Sequence, residues 1–175
     1  MKRLWIVAFA LVAMLPACKK TVTAPTGLTL PTQFVFTAQL LPANEVPAVT
    51  GAEAAGSGTV TITFNVTRDA AGTITAATST FQVNLTGFPN GMNLTGAHIH
   101  NGPAGVVAGI VVSTGLANGE LVVNGSASFT KSNVTMAADL TQSIITTPSG
   151  YYFNVHSTAN GGGVSRGQLS LTSSK

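Results

Sequence analysis

The sequence predicts an all-β domain, an antiparallel β-sandwich or barrel with one short helix. Three observations predict it. Apolar residues alternate with Thr, Ser and Asn at period two in several short runs, Asn-Gly dipeptides fall between those runs, and only one segment carries a helical period. Both residues of Asn-Gly tolerate positive φ, so the five dipeptides beginning at Asn90, Asn101, Asn118, Asn124 and Asn160 mark tight turns.

Residues 1–18 read as an export signal. Lys2 and Arg3 supply a positive start, Leu4 to Leu15 an apolar core, and Leu15-Pro16-Ala17-Cys18 its end. That core is shorter than the roughly 20 apolar residues a bilayer span needs. Cys18, the sole cysteine, follows a small residue and resembles the lipobox of bacterial lipoproteins, in which the cysteine is lipidated and becomes the new N-terminus. Pro16 departs from the small or β-branched residue usual there, so cleavage after Ala17 and secretion is the alternative. The expected location is the cell envelope, with the membrane as a partner through the lipid anchor. Lys19, in place of the aspartate associated with inner-membrane retention, favours the outer membrane by analogy. A single cysteine also means no intramolecular disulfide, so the domain must be held by its core.

Residues 19–32, with Pro25, Gly27 and Pro31, have no periodicity and read as a flexible tether; residues 33–172 are one domain's worth of chain. Phe34, Phe36 and Ala38 alternate in a first strand. Val60, Ile62, Phe64 and Val66 alternate with Thr59, Thr61, Thr63 and Asn65 in the clearest half-buried strand. The turn Asp69-Ala70-Ala71-Gly72 leads to a partner with Phe81, Val83 and Leu85 inside, and the change from even to odd positions implies a bulge near Ala76 to Thr80. Val106-Val107 and Ile110 to Val112 read as a more fully buried strand, Leu121 to Val123 and Ala127 to Phe129 as a further pair, and Tyr151 to His156 with Gln168 to Leu171 as the last two. The helical period covers Asn133 to Gln142, with Ser132 as N-cap.

Charged residues make up 7% of the chain against about 25% in typical soluble domains, their place taken by Thr, Ser, Asn and Gly. The formal net charge of +3 owes two units to Lys2 and Arg3, leaving six basic residues against five acidic ones. No basic cluster remains, which excludes a nucleic-acid partner. A polysaccharide-binding role is weakened because Trp5 lies in the leader and only Tyr151 and Tyr152 stand beside the phenylalanines.

All three histidines sit in strand-like segments. His98 and His100, at i and i+2, share one face of a strand while Ile99 takes the other; His156 lies in Tyr151-Tyr152-Phe153-Asn154-Val155-His156. Convergence of the three would give a site for zinc or copper with an open position, and redox activity in the case of copper. The competing reading is a structural cluster tying strand ends together through Asn101, Asn154 or Ser157. Three histidines fall short of a copper–zinc dismutase constellation. No nucleophile elbow, phosphate-cradling loop or other catalytic signature is present: Gly56-Ser57-Gly58 has the wrong spacing and Gly161-Gly162-Gly163 precedes no helix, so no enzyme is expected. The sequons at Asn65, Asn84, Asn93, Asn124 and Asn133 are incidental in so Asn- and Thr-rich a chain.

Four segments resemble, in order, the signatures of the CHRD domain, a module named after chordin and found in many exported bacterial proteins. They are Gln39 to Pro47 (QLLPANEVP), Gly96 to Ala104 (GAHIHNGPA), Tyr152 to Ser157 (YFNVHS) and Arg166 to Leu169 (RGQL). The resemblance implies an antiparallel sandwich of immunoglobulin-like or superoxide-dismutase-like topology, no established catalytic activity, and a binding or structural role toward an unidentified protein or small ligand. It singles out Asn44, Glu45, Pro47, Asn154, Arg166 and Gln168 as structural or ligand-contact positions. Of these, Pro47 is expected to stiffen its loop and Glu45 to accept backbone N–H groups or pair with Arg166. Where the family usually has Gly-Glu-Ile-Arg-Gly-Gln, Gly163-Val164-Ser165-Arg166-Gly167-Gln168 stands here, so any ion pair made by that glutamate is absent.

Overall fold

In the computed structural model, which describes residues 29–175, the period-two runs become the strands of two antiparallel sheets packed over a single core. The expected export signal with Trp5 and Cys18, and the expected tether through Leu28, lie outside the described residues. In chain order the strands are β1 (Gln33–Leu40), β2 (Ser57–Arg68), β3 (Ile74–Thr86), β4 (Met92–Asn101), β5 (Ile110–Ser113), β6 (Val122–Val123), β7 (Ser126–Met136), β8 (Tyr151–Ser157), β9 (Ser165–Gln168) and β10 (Ser170–Ser174). One helix, α1 (Ala138–Thr146), precedes β8. The first sheet runs β10-β1-β2-β3-β7; the second runs β5-β4-β8-β9, with β6 paired to one end of β4.

Register explains why the first sheet has one dry face. Phe34 opposes Phe64, Phe36 opposes Ile62 and Ala38 opposes Val60 across β1–β2, and Ile62 opposes Phe81 and Val60 opposes Val83 across β2–β3. Every one of these side chains is buried, while Thr59, Asn65 and Thr67 face solvent. The sheets meet where Phe81 of β3 stacks on Phe153 of β8, ring centroids 5.8 Å apart.

Several expectations are corrected. The shift from even to odd core positions between β2 and β3 needs no bulge, because pairing is continuous from Ser57–Thr86 to Thr67–Ala76 and merely has an odd register sum. Irregularities nonetheless fall at the two ends of the expected Ala76 to Thr80 segment: one lies between Ala76 and Ile74, the other on the β7 side, where Ser132 and Asn133 together face Thr80 and Asn133 takes φ 58°. Val106 and Val107 belong to no strand and are exposed, and Ile110 starts a short edge strand bonded to β4 alone. Leu121 to Val123 and Ala127 to Phe129 do not pair with each other; the Asn124-Gly125 turn carries the chain from β4 in one sheet to β3 in the other. Gln168 to Leu171 is split, since β9 ends on β8 and β10 crosses to β1.

The helix starts later than its period suggests. Val134 and Met136 are taken by β7, where they oppose Ser79 and Ala77, and α1 then buries Thr141 and Ile144. Sheet pairing of β-branched residues has overridden a weak helical pattern. Ala137, not Ser132, is the N-cap and offers no side-chain bond.

Candidate metal centre

β4 and β8 place the chemistry. Their register sets Gly96 against His156, His98 against Asn154 and His100 against Tyr152, and β9 adds Arg166 beside Asn154 and Gln168 beside Tyr152. Ala97, Ile99, Phe153 and Val155 point into the core, so alternation sends the three histidines, Tyr152, Asn154 and Arg166 to the opposite face. That face is not open to solvent. Residues 42–50, 102–109 and 158–163 fold over it, and all seven residues of β8 are buried.

The covering loops are tied down by the very side chains they cover. His100 Nδ1 lies 2.8 Å from the Ala108 carbonyl and His156 Nδ1 2.9 Å from the Gly161 carbonyl. A carbonyl only accepts, so Nδ1 carries a proton in both rings, and the neutral form of either ring presents its lone pair at Nε2. Arg166 donates Nη1–H to Val106 O and Nε–H to Asn44 O, while Asn44 Nδ2 donates to Arg166 O. Gln168 donates to the Gly102, Ser149 and Tyr151 carbonyls. Asn101 and Ser157 take no part in holding the imidazoles; Ser157 Oγ donates instead to Glu53 Oε2 at 2.7 Å.

The three rings converge. His98 and His156 centroids are 4.9 Å apart, and His100 is 5.9 Å from each. One ring nitrogen from each lies within 4.8 Å of the others, with no carboxylate or thiol in the group among the described residues. His98 Nδ1, His100 Nε2 and His156 Nε2 are buried and bonded to nothing. Burial holds the His98 imidazole down at about pKa 4, helped by repulsion from His156 and His100, and burial also lowers His156 against the raising effect of its Gly161 bond. These two rings are therefore neutral at pH 7, the state in which imidazole binds a metal.

Tyr152 stands between the histidines and the arginine. Its ring lies parallel to His100, 3° between planes and 4.7 Å between centroids, and the Arg166 guanidinium sits 4.6 Å over the ring. Its hydroxyl accepts from Ala108 N–H at 3.2 Å, closing a loop of contacts around His100. Arg166 Nε is 3.6 Å from Glu45 Oε2, both side chains buried, which realises the Glu45–Arg166 pairing read from the sequence. Burial pushes the Glu45 carboxyl up to about 7, with the Arg166 charge and the Asn154 amide offsetting only part of that effect. Pro47 is exposed and next to Glu45 in the loop.

Two glycines that sequence reasoning did not single out shape the site. A Cβ on Gly96 would lie 2.8 Å from His98 Cε1, so the imidazole rests directly on that backbone. Gly163, at φ 140°, has Asn154 Nδ2 and both Glu45 carboxylate oxygens 2.6 Å from the place a Cβ would occupy. The carbonyls of Ala108 and Gly161 are equally unreadable, being backbone groups on loops; Tyr152 reads as a strand residue, as part of the YFNVHS segment and as one of two aromatics weighed for polysaccharide binding, but not as the neighbour of His100 and Arg166.

A family model described as the CHRD domain matches residues 36–169. No curated protein and no solved structure matches the chain.

Proposed function

The chain belongs to the CHRD domain family, and we propose that in this member the binding domain holds one transition-metal ion on His98, His100 and His156. Two observations carry this reading: one nitrogen from each of the three rings lies within 4.8 Å of the others, and each ring also has a buried nitrogen with no hydrogen-bond partner. Each such orphan costs about 1–3 kcal/mol in desolvation, and one cation satisfies all three. The Nδ1–H bonds to Ala108 and Gly161 are the outer contacts that fix tautomer and orientation in metal-ligating histidines. Three nitrogens no more than 4.8 Å apart fit within a circle of about 2.8 Å radius, so a point within that distance of all three exists and the rings draw in modestly to reach zinc–nitrogen distances of about 2.0–2.1 Å. Zinc and copper both suit imidazole.

The same carbonyl bonds would also serve a purely structural cluster. Metal analysis of natively purified full-length protein separates the two: one equivalent of zinc or copper, lost in His98→Ala, supports the metal site, whereas equally poor binding by both proteins leaves a strap for loops 102–109 and 158–163.

The setting of this domain rests on the leader. Lys2 and Arg3, the Leu4 to Leu15 core and Cys18 after Ala17 support a lipid-anchored protein of the cell envelope, at the outer membrane. Mass spectrometry of the mature N-terminus should find diacylglyceryl-modified Cys18; an unmodified cysteine or an intact leader would overturn the anchor.

A further inference from the structure

We infer that the three-histidine centre selects the charge of its ion and takes monovalent copper in preference to any divalent metal; this rests on the metal reading above. The argument is an inventory of negative charge. The chain has five acidic residues, all within the described region, and each is engaged elsewhere. Glu45 pairs with Arg166, and Glu53 accepts from Ser157 and Asn160. Asp69 accepts from Ala71 and Thr73 in its turn, Glu120 binds Lys131, and Asp139 sits in the first turn of α1. None joins the imidazoles. The ligand set is thus neutral, and an ion entering it keeps its full charge.

That site is also largely shielded from water. The unpartnered ring nitrogens are buried, and His100 and His156 are 5% and 8% exposed, while His98 stands at its partly exposed side. The cost of moving an ion out of water rises with the square of its charge, so an uncompensated divalent ion meets four times the penalty of a monovalent one. Among the described residues no unpaired negative charge stands behind the ligands either: the Arg166 guanidinium lies over the Tyr152 ring on which His100 is stacked, and the Glu45 carboxyl beyond it is paired with that guanidinium. Three neutral nitrogens arranged in a triangle match the low coordination number that cuprous ion accepts. Zinc and cupric ion each take at least one further ligand, which no side chain among the described residues offers, so water would have to enter this layer beside the partly exposed His98.

The test uses the full-length mature protein, loaded without oxygen with one equivalent of Cu(I) and titrated with a chromogenic Cu(I) chelator such as bicinchoninate. Cu(II) and Zn²⁺ affinities are measured in parallel by competition. Cu(I) should bind at least tenfold more tightly than Cu(II), which raises the one-electron couple by at least about 59 mV over aqueous copper, and the loaded protein should stay silent in electron paramagnetic resonance on exposure to air. Cu(II) or Zn²⁺ binding as tightly as Cu(I), with that binding lost in His98→Ala, overturns the charge selectivity and leaves the metal site standing. If no ion binds more tightly to the parent protein than to His98→Ala, the metal reading itself falls.

Discussion

Between the core residues of β2 stand Thr59, Thr61, Thr63 and Asn65, half-buried or exposed; between the core residues of β8 stand Tyr152, Asn154 and His156, all buried. Both strands alternate, and both present Phe and Val or Ile to the same core. The difference lies outside the sandwich. The outer face of the first sheet meets water, so its alternate residues need only be soluble and good strand formers. The outer face of the second sheet meets loops 42–50, 102–109 and 158–163, so its alternate residues must satisfy backbone carbonyls in a dry layer. Chemistry collects where a second, polar layer is buried on the back of a sheet.

The shared core sets the scale for testing that contrast. Phe81 joins the sheets through its stack on Phe153, so Phe81→Ala should destabilise the fold by about 3–5 kcal/mol in urea unfolding. A comparable loss is expected from Arg166→Ala on the loop-covered face, about 3–5 kcal/mol, since it strands the buried Glu45 carboxyl and frees the Asn44 and Val106 carbonyls. If Arg166→Ala cost less than 1 kcal/mol, the second layer would be a loose cover and the distinction between the faces would collapse.

Metal binding should act on one sheet only. An ion present at 100 times its dissociation constant stabilises the folded state by about 2.7 kcal/mol. Calorimetry should show that gain in melting temperature with the parent protein and its absence in His98→Ala. A gain that survives His98→Ala would place the ion elsewhere.

Protons should oppose metal on the same face. The folded His98 pKa, about 4, lies below its ordinary 6.5, so between those values the unfolded chain binds more protons and stability falls as pH drops; His156 shifts in the same direction. Glu45, raised from 4.5 to about 7, works the other way: between those values the folded chain binds more protons and stability falls as pH rises. Glu45 should therefore offset part of the loss of stability that the two histidines cause as pH falls from 6.5 to 4.5. His98→Ala should remove one of the two opposing histidine contributions and make the loss over that window smaller than in the parent protein. Chemical denaturation at a series of pH values reads this, and an unchanged profile in the variant would contradict a His98 kept neutral by its partial burial.

How much of this was legible depends on what covers each residue. Val60 to Val66 announced β2 because water reads its other face. The i, i+2 spacing of His98 and His100 announced a shared face, and the structure brings His156 to it from the neighbouring strand. The cover itself left no local pattern: Asn44 meets Arg166 across 122 residues, and the partners of His100 and His156 are carbonyls of Ala108 and Gly161. Val106 and Val107 misled for the same reason. Their loop is held by its backbone, through Val106 O and Ala108 N–H, so their apolar side chains can point outward. The helix was displaced because Val134 and Met136 were claimed by β3, a partner 55 residues away from Val134 at Ser79.

The smallest effect belongs to the outer face of the first sheet. Thr59 is exposed on β2 between Gln39 of β1 and Asn84 of β3, and no side-chain bond involves it. Thr59→Ala removes a β-branched side chain whose only tasks are strand propensity and contact with two polar neighbours, for which about 0.5–1 kcal/mol is the full range. The shifts in urea midpoint for Thr59→Ala and Arg166→Ala, measured together at pH 7, should then differ severalfold although both residues occupy outward positions, Thr59 on the central strand of its sheet and Arg166 on the edge strand β9. Equal costs would mean that outwardness in the strand, and not the layer beyond it, decides what a position is worth; the proposed division between a solvent face and a chemical face would have lost its physical basis.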